Sequence, residues 1–250
     1  MSMPFYVSPE QWMKDKADFA RKGIARGKGL AAMVYDDGIL ICAENSSATL
    51  RKISEIYDRI AFAGAGRYNE YDRLRIAGVR HADLKGYSFS REDVDAQSLA
   101  NAYAQMLHDV FTHEVKPMEV DILVAEAAGD RTGDRLFHIL YDGTVVDEEG
   151  VTVLGGDAEA IANRLRQTYR PGLSLEEALR AAVSALAGAD RTLAPTELEV
   201  AVLARANSGR TFQRLTRDQV AAALVSGEAA GDGQAPDDGQ APEEGQASEG

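Results

Sequence analysis

The sequence holds a single cysteine, Cys42, so no intrachain disulfide can form, and so sparing a use of thiols suits a reducing compartment. It has no apolar run of membrane-spanning length, and its N-terminus lacks the hydrophobic core of a signal peptide. A soluble, cytoplasmic protein with no membrane partner is expected. Cations are short: the net charge is −13, and from Glu228 onward there are seven acids and no Lys or Arg. The rest of the chain keeps −6, an acidic balance that argues against a nucleic-acid partner, which rewards clustered cations. Histidine is limited to His81, His108, His113 and His138. His108 and His113 do not share a helical face, and no Cys or His cluster has metal spacing. There is no Gly-x-Ser-x-Gly elbow. Neither a metal nor a cofactor is expected.

What is present is a core. The 45% hydrophobic content of 250 residues suffices for one large domain. Its organising stretch runs from Leu30 to Gly66. Two apolar runs, Ala31–Tyr35 and Ile39–Ala43, flank Asp36-Asp37-Gly38, and Asp-Gly between such runs predicts a hairpin. A polar loop, Glu44–Thr49, follows. Lys52 and Ile53 then lead into a third strand, Ile60–Ala65. Cys42 falls inside an apolar run and reads as a buried, inert thiol. Gly64-Ala65-Gly66 stands between a strand and a helix, as a dinucleotide loop does. The third glycine of that fingerprint would fall at Asn69, and no β-α-β unit follows, so a tight strand-to-helix turn is the preferred reading.

Elsewhere the pattern alternates groups of strands with groups of helices. Ser8-Pro9-Glu10-Gln11 predicts a helix start with Ser8 as cap and Gln11 completing a capping box, opening Pro9–Ile24. Arg67–Ala77 is helical and Asp83–Arg91 reads as a polar loop. Ser98–His113 is an amphipathic helix. Strands are expected at Val120–Ala125, Leu136–Tyr141, Thr144–Val146 and Val151–Leu154, then helices at Ala158–Tyr169 and Leu175–Leu186. Strands at Leu198–Leu203 and Thr211–Leu215 and a short helix, Asp218–Leu224, close the series. This order predicts an α+β fold, a four-layer α-β-β-α sandwich of two antiparallel sheets with an extra N-terminal helix. Residues 1–8 read as a leader, 9–226 as the domain, and 227–250, with its Gly-Gln-Ala-Pro repeats, as a disordered acidic tail. Lys52 reads either as a solvated cation at a strand start or as a point charge for a carboxylate. On residues alone Met1–Val7 is a frayed terminus.

Several segments resemble one family. Ser8–Gln11, Ala20–Gly27, Arg51–Ile60, Ala63–Glu70, Leu99–Gln105 and Val151–Gly156 are similar to the α-subunits of actinobacterial 20S proteasomes, and the similarity covers roughly residues 1–225. It implies the N-terminal nucleophile hydrolase fold and a homo-heptameric α-ring stacked on proteasome β-subunits. The catalytic β-type begins its first strand with a threonine whose α-amine is the base. The matching position here is about Gly29, with no threonine nearby and a helix ahead of it, so a non-catalytic subunit is implied. By the same match, Lys52, Gly27 and Arg67 line a pocket that receives the C-terminal carboxylate of an AAA ATPase activator. The leader Met1, Ser2, Met3, Pro4, Phe5, Tyr6 and Val7 would be a gate on the ring axis, through which tagged, unfolded protein substrates pass. Archaeal and eukaryotic α-subunits carry Tyr-Asp-Arg in this region. Here Phe5-Tyr6-Val7-Ser8-Pro9 stands instead.

Overall fold

A computed structural model describes residues 8–129, 131–207 and 209–225. In chain order it begins with helix α1 (Pro9–Ala25), strands β1 (Leu30–Tyr35), β2 (Gly38–Glu44), β3 (Ile53–Tyr57) and β4 (Ile60–Gly66), and helices α2 (Tyr68–Ser88) and α3 (Ala96–His113). Strands β5 (Val120–Glu126), β6 (Arg135–Ile139), β7 (Val145–Asp147) and β8 (Val151–Leu154) follow, then helices α4 (Ala158–Thr168) and α5 (Leu175–Ala187). Strands β9 (Leu198–Ala204) and β10 (Phe212–Arg214) and helix α6 (Arg217–Val225) end the described chain. Residues 1–7 and 226–250, the expected leader and nearly all of the expected tail, lie outside the described residues.

The hairpin forms where the composition places it. Gly38, with φ +147°, opens β2, and β1 pairs antiparallel with it from Leu30↔Ala43 to Tyr35↔Gly38. That pair sits inside a sheet ordered β10-β9-β2-β1-β8; the second sheet is ordered β3-β4-β5-β6-β7, and both are antiparallel. Strand periodicity divides the side chains between two faces. Ala31, Met33 and Tyr35 meet the α4–α5 layer, while Leu30 and Ala32 join Ala61, Ala63, Leu123 and Leu203 between the sheets. The outer face of the second sheet, with Phe62, Ile122 and Val124, is covered by α2 and α3. The expected α-β-β-α layering is therefore what the chain builds.

Helix α1 stands apart from those layers. Ala20 and Ile24 pack on Phe111 and Tyr141, and Lys16, 4% exposed, donates from Nζ to the Phe111 carbonyl at 2.7 Å. That carbonyl belongs to the last turn of α3, where helix carbonyls lack partners and a cation is favoured. The Trp12 ring covers the ammonium, 3.9 Å from Nζ to the centroid. Between the sheets one titratable group is held charged: His138 lies 3.6 Å from Asp121 Oδ2 and 3.9 Å from Glu148 Oε1. Burial alone would lower its pKa, but the two carboxylates raise it to about 9.

Three expectations are corrected. Strand β3 was not anticipated, because its alternation is broken by Glu55 and its register shifts between Glu55 and Tyr57. Helix α2 runs on through Asp83–Ser88 rather than giving way to a loop at Asp83. Asp83 and Ser88 are exposed there, Lys85 donates to Asp95 and Ser98 at the start of α3, and Gly86 brings the helix against the Tyr57 hydroxyl. The α1 capping box is half formed: Ser8 Oγ accepts from the Gln11 N–H, but the Gln11 side chain donates to Asp15 instead of returning to Ser8. The boxes at Ser174–Glu177 and Thr216–Gln219 are complete.

Gly64 and Gly66 have packing reasons. A Cβ at Gly64 would meet the Tyr71 ring. Gly66 takes φ +102°, and a Cβ there would fall on the Glu119 carbonyl oxygen. The tight strand-to-helix turn is the correct reading of this motif. Gly66→Ala should cost at least about 2 kcal/mol, because both the left-handed backbone and a backbone clash must be accommodated. Thermal unfolding should show a Tm loss of roughly 5 °C; an unchanged Tm would contradict this account of the turn.

Candidate functional site

The α1–β1 link, the start of β3 and the β4–α2 turn converge at one end of the sandwich. Gly27 ends the α1 exit, its N–H donating to the Ile24 carbonyl at 2.9 Å, and a Cβ on it would come 3.2 Å from the Gly66 nitrogen. Gly66 precedes Arg67. The Gly64 N–H donates to the Lys52 carbonyl at 3.0 Å, which ties the start of β3 to the same turn. The backbones that carry Gly27, Lys52 and Arg67 thus meet in one locality.

Their side chains differ in availability. Arg67 is exposed and caps α2 only through its backbone; its guanidinium pairs with Glu119 at 2.8 Å, and its N–H donates to the Glu119 carbonyl at 2.9 Å. Lys52 is half-buried, and its Nζ donates to the Lys28 carbonyl at 2.6 Å. An ammonium has three donors. Among the described residues one is used, which leaves the others for a ligand. Burial lowers the Lys52 pKa from 10.5 to about 8; the Glu44 and Glu199 carboxylates oppose the fall and the Lys28 ammonium adds to it. Lys52 is therefore charged at neutral pH and loses its charge just above it.

Residue 29 is closed to chemistry. Gly29 is fully packed, and a Cβ on it would meet the Ile161 and Leu186 side chains at 2.9 and 3.0 Å. Its carbonyl accepts the Glu44 N–H at 3.0 Å. The chain passes through it from α1 into β1, so it carries an amide where a catalytic amine would be needed. Cys42 is buried, its thiol pushed up to about 12 by desolvation, which leaves no thiolate to react. Among the described residues no cluster of His, Cys, Asp or Glu could hold a metal, and no helix is long and apolar enough to cross a membrane.

Sequence reasoning missed the acids that organise this end. Glu44 pairs with Lys28 and, at 3.1 Å, with Arg191; burial would raise its pKa, but the two cations hold it below the ordinary value. Glu119 is 4% exposed and lies against Gly23 of α1, where a Cβ would collide with it. Glu199 is 4% exposed and pairs with Arg214. Each stands in or beside an apolar strand, a place a carboxylate occupies only when partnered. That was the available signal.

Two antiparallel sheets between helical layers, with an added N-terminal helix, are the architecture of the N-terminal nucleophile hydrolase fold. A family model described as "Proteasome subunit" matches residues 24–203. A protein named proteasome subunit alpha from Acidimicrobium ferrooxidans is 58% identical over 224 residues, covering 90% of this chain and 97% of that one. Proteins of the same name from Xylanimonas cellulosilytica and Kineococcus radiotolerans are each 53% identical, covering 92% and 91% of this chain and 97% and 99% of their own. The chain belongs to the proteasome subunit family and groups with its α-subunits.

Acetylation of the Lys52 amine by acetic anhydride, read by mass spectrometry across pH, should be half-maximal near pH 8. A midpoint at the ordinary lysine value would mean that Lys52 is fully hydrated and lines no pocket.

Proposed function

We propose that this chain forms the gated, non-catalytic α-ring of a cytoplasmic 20S-type core particle, in which partner β-subunits carry out proteolysis. Copies assemble as a heptameric ring, and Lys52 receives the C-terminal carboxylate of an AAA ATPase activator that feeds tagged, unfolded proteins through the ring. The observation that carries this reading is the half-buried Lys52 ammonium, desolvated enough to attract a carboxylate strongly and with donors to spare. Gly27 supports it by its close packing on the Gly66 backbone, which brings the α1 exit to the β4–α2 turn that carries Arg67. The packed Gly29 supports the division of labour, since this chain offers no nucleophile of the β-type. Ring formation is supported by an exposed apolar groove of about 280 Å³ on α1, where Trp12 and Phe19 face Val115. The gate is assigned to Met1–Val7, directly ahead of the Ser8 cap of α1.

Lys52→Ala in the assembled particle should abolish activator-stimulated protein degradation while small-peptide hydrolysis continues at the wild-type rate. Loss of a partly desolvated ion pair should weaken activator binding by roughly 30-fold or more. In the wild type, binding should weaken as pH rises through about 8, because the ammonium is protonated below that value and neutral above it. Wild-type stimulation in Lys52→Ala would refute the assignment.

Deleting residues 1–7 should raise basal peptide hydrolysis several-fold without the activator. No change would show that these residues do not obstruct the ring.

A further inference from the structure

Strand β3, which Lys52 introduces, is an edge strand. On one side it pairs with β4; on the other no strand follows among the described residues. At its start the backbone groups that face away from β4 are met by side chains instead. Glu199 Oε2 accepts the Lys52 N–H at 2.9 Å, and Oε1 accepts the Ile53 N–H at 3.3 Å. Arg214 donates from Nη2 to the Ile53 carbonyl at 2.6 Å and pairs with Glu199 through Nη1. Asn45 donates from Nδ2 to Glu199 Oε2 at 2.7 Å and to the Leu50 carbonyl at 2.8 Å, which draws the preceding loop to the same carboxylate. Both oxygens of Glu199 are thus doubly engaged, the condition under which a carboxylate is tolerated out of water. Glu199 belongs to β9, in the sheet opposite β3, and pairs there with Ala43. A side chain rooted in one sheet therefore fixes the first residues of a strand in the other.

We propose that Glu199 is the positioning residue of Lys52, its carboxylate clamping the start of β3 and presenting the ammonium, charged, to an incoming carboxylate that Glu199 itself never touches. The proposal rests on the reading of Lys52 as the docking cation. The groups facing Lys52 are Lys28 from the α1–β1 link, Glu44 from β2 and Glu199 from β9; Arg191 stands behind Glu44 and Arg214 behind Glu199. Two roles for Glu199 give opposite signs. As an electrostatic and geometric support, it favours the protonated amine, so removing its charge makes Lys52 easier to deprotonate. As a mere brace, its loss would loosen the strand, admit water and return Lys52 toward the ordinary lysine value.

The test is acetic anhydride labelling of Lys52 across pH in the assembled particle, with activator-stimulated degradation measured alongside. In Glu199→Gln the labelling midpoint should fall by roughly one pH unit. Stimulation should be reduced several-fold at pH 8 and largely retained at pH 6.5. A midpoint that rises overturns the proposal. Arg214→Gln covers the case in which the first variant does not assemble: it leaves the Glu199 carboxylate without its cation, so the midpoint should rise, as loosening of the strand would also make it do, but stimulation at pH 8.5 should strengthen, which loosening would not do. Weaker stimulation at every pH would mark a structural brace and overturn the proposal. The docking reading fails separately. If both midpoints move as stated but Lys52→Ala keeps full stimulation, Glu199 still positions Lys52 and the ligand is something other than the activator.

Discussion

Three carboxylates buried at one end of the sandwich govern its architecture. Glu44, Glu119 and Glu199 are each nearly inaccessible, and a charge withdrawn from water must be answered by another. Glu44 gathers Lys28 and Arg191, Glu119 gathers Arg67 and Lys116, and Glu199 gathers Arg214. These pairs bind the α1–β1 link, the β4–α2 turn and the start of β3 to the ends of β2, β5 and β9. Most of the rest of the described fold is apolar strand packed under amphipathic helix, with His138 and the Arg205–Asp134 pair among its exceptions. At this end ion pairs hold the pieces in place, and here the candidate docking cation stands.

At the same end Gly29 is wedged between Ile161 and Leu186, and the backbone runs on from it into helix α1 on one side and β1 on the other. The amine of Lys52 rests on the Lys28 carbonyl, a neutral acceptor that leaves its charge unspent. Helix α1 is kept in register by Lys16, which closes the last turn of α3 under the Trp12 ring. The segment that replaces a free terminus is thus itself anchored in the fold.

Much of this was legible in the residues. Asp36-Asp37-Gly38 announced the first hairpin because a two-sided apolar pattern around Asp-Gly has few other solutions. Ser174 and Glu177 announced a helix start because a capping box is a local device. Strand β3 was hidden because Ser54 and Glu55 break its pattern, and an edge strand needs only one apolar face. The length of α2 was hidden because Lys85 finds its partner, Asp95, only in the folded chain, and Gly86 is unlike a helix centre. At the site, the position of Lys52 was legible and its setting was not. The carboxylate that holds its backbone lies 147 residues away, and the carbonyl that holds its amine lies 24 away in the other direction. No local pattern reports such distances.

The clamp on β3 also decides how a partner can bind. An open sheet edge invites any extended peptide to add itself as a further strand, through backbone hydrogen bonds that ignore sequence. Here the outward N–H and carbonyl of Ile53 are already taken by Glu199 and Arg214. A tail arriving beside Lys52 cannot pair with Ile53, so its terminal charge and its side chains must carry recognition there. At Ile53 the edge is thereby closed to indiscriminate strand addition.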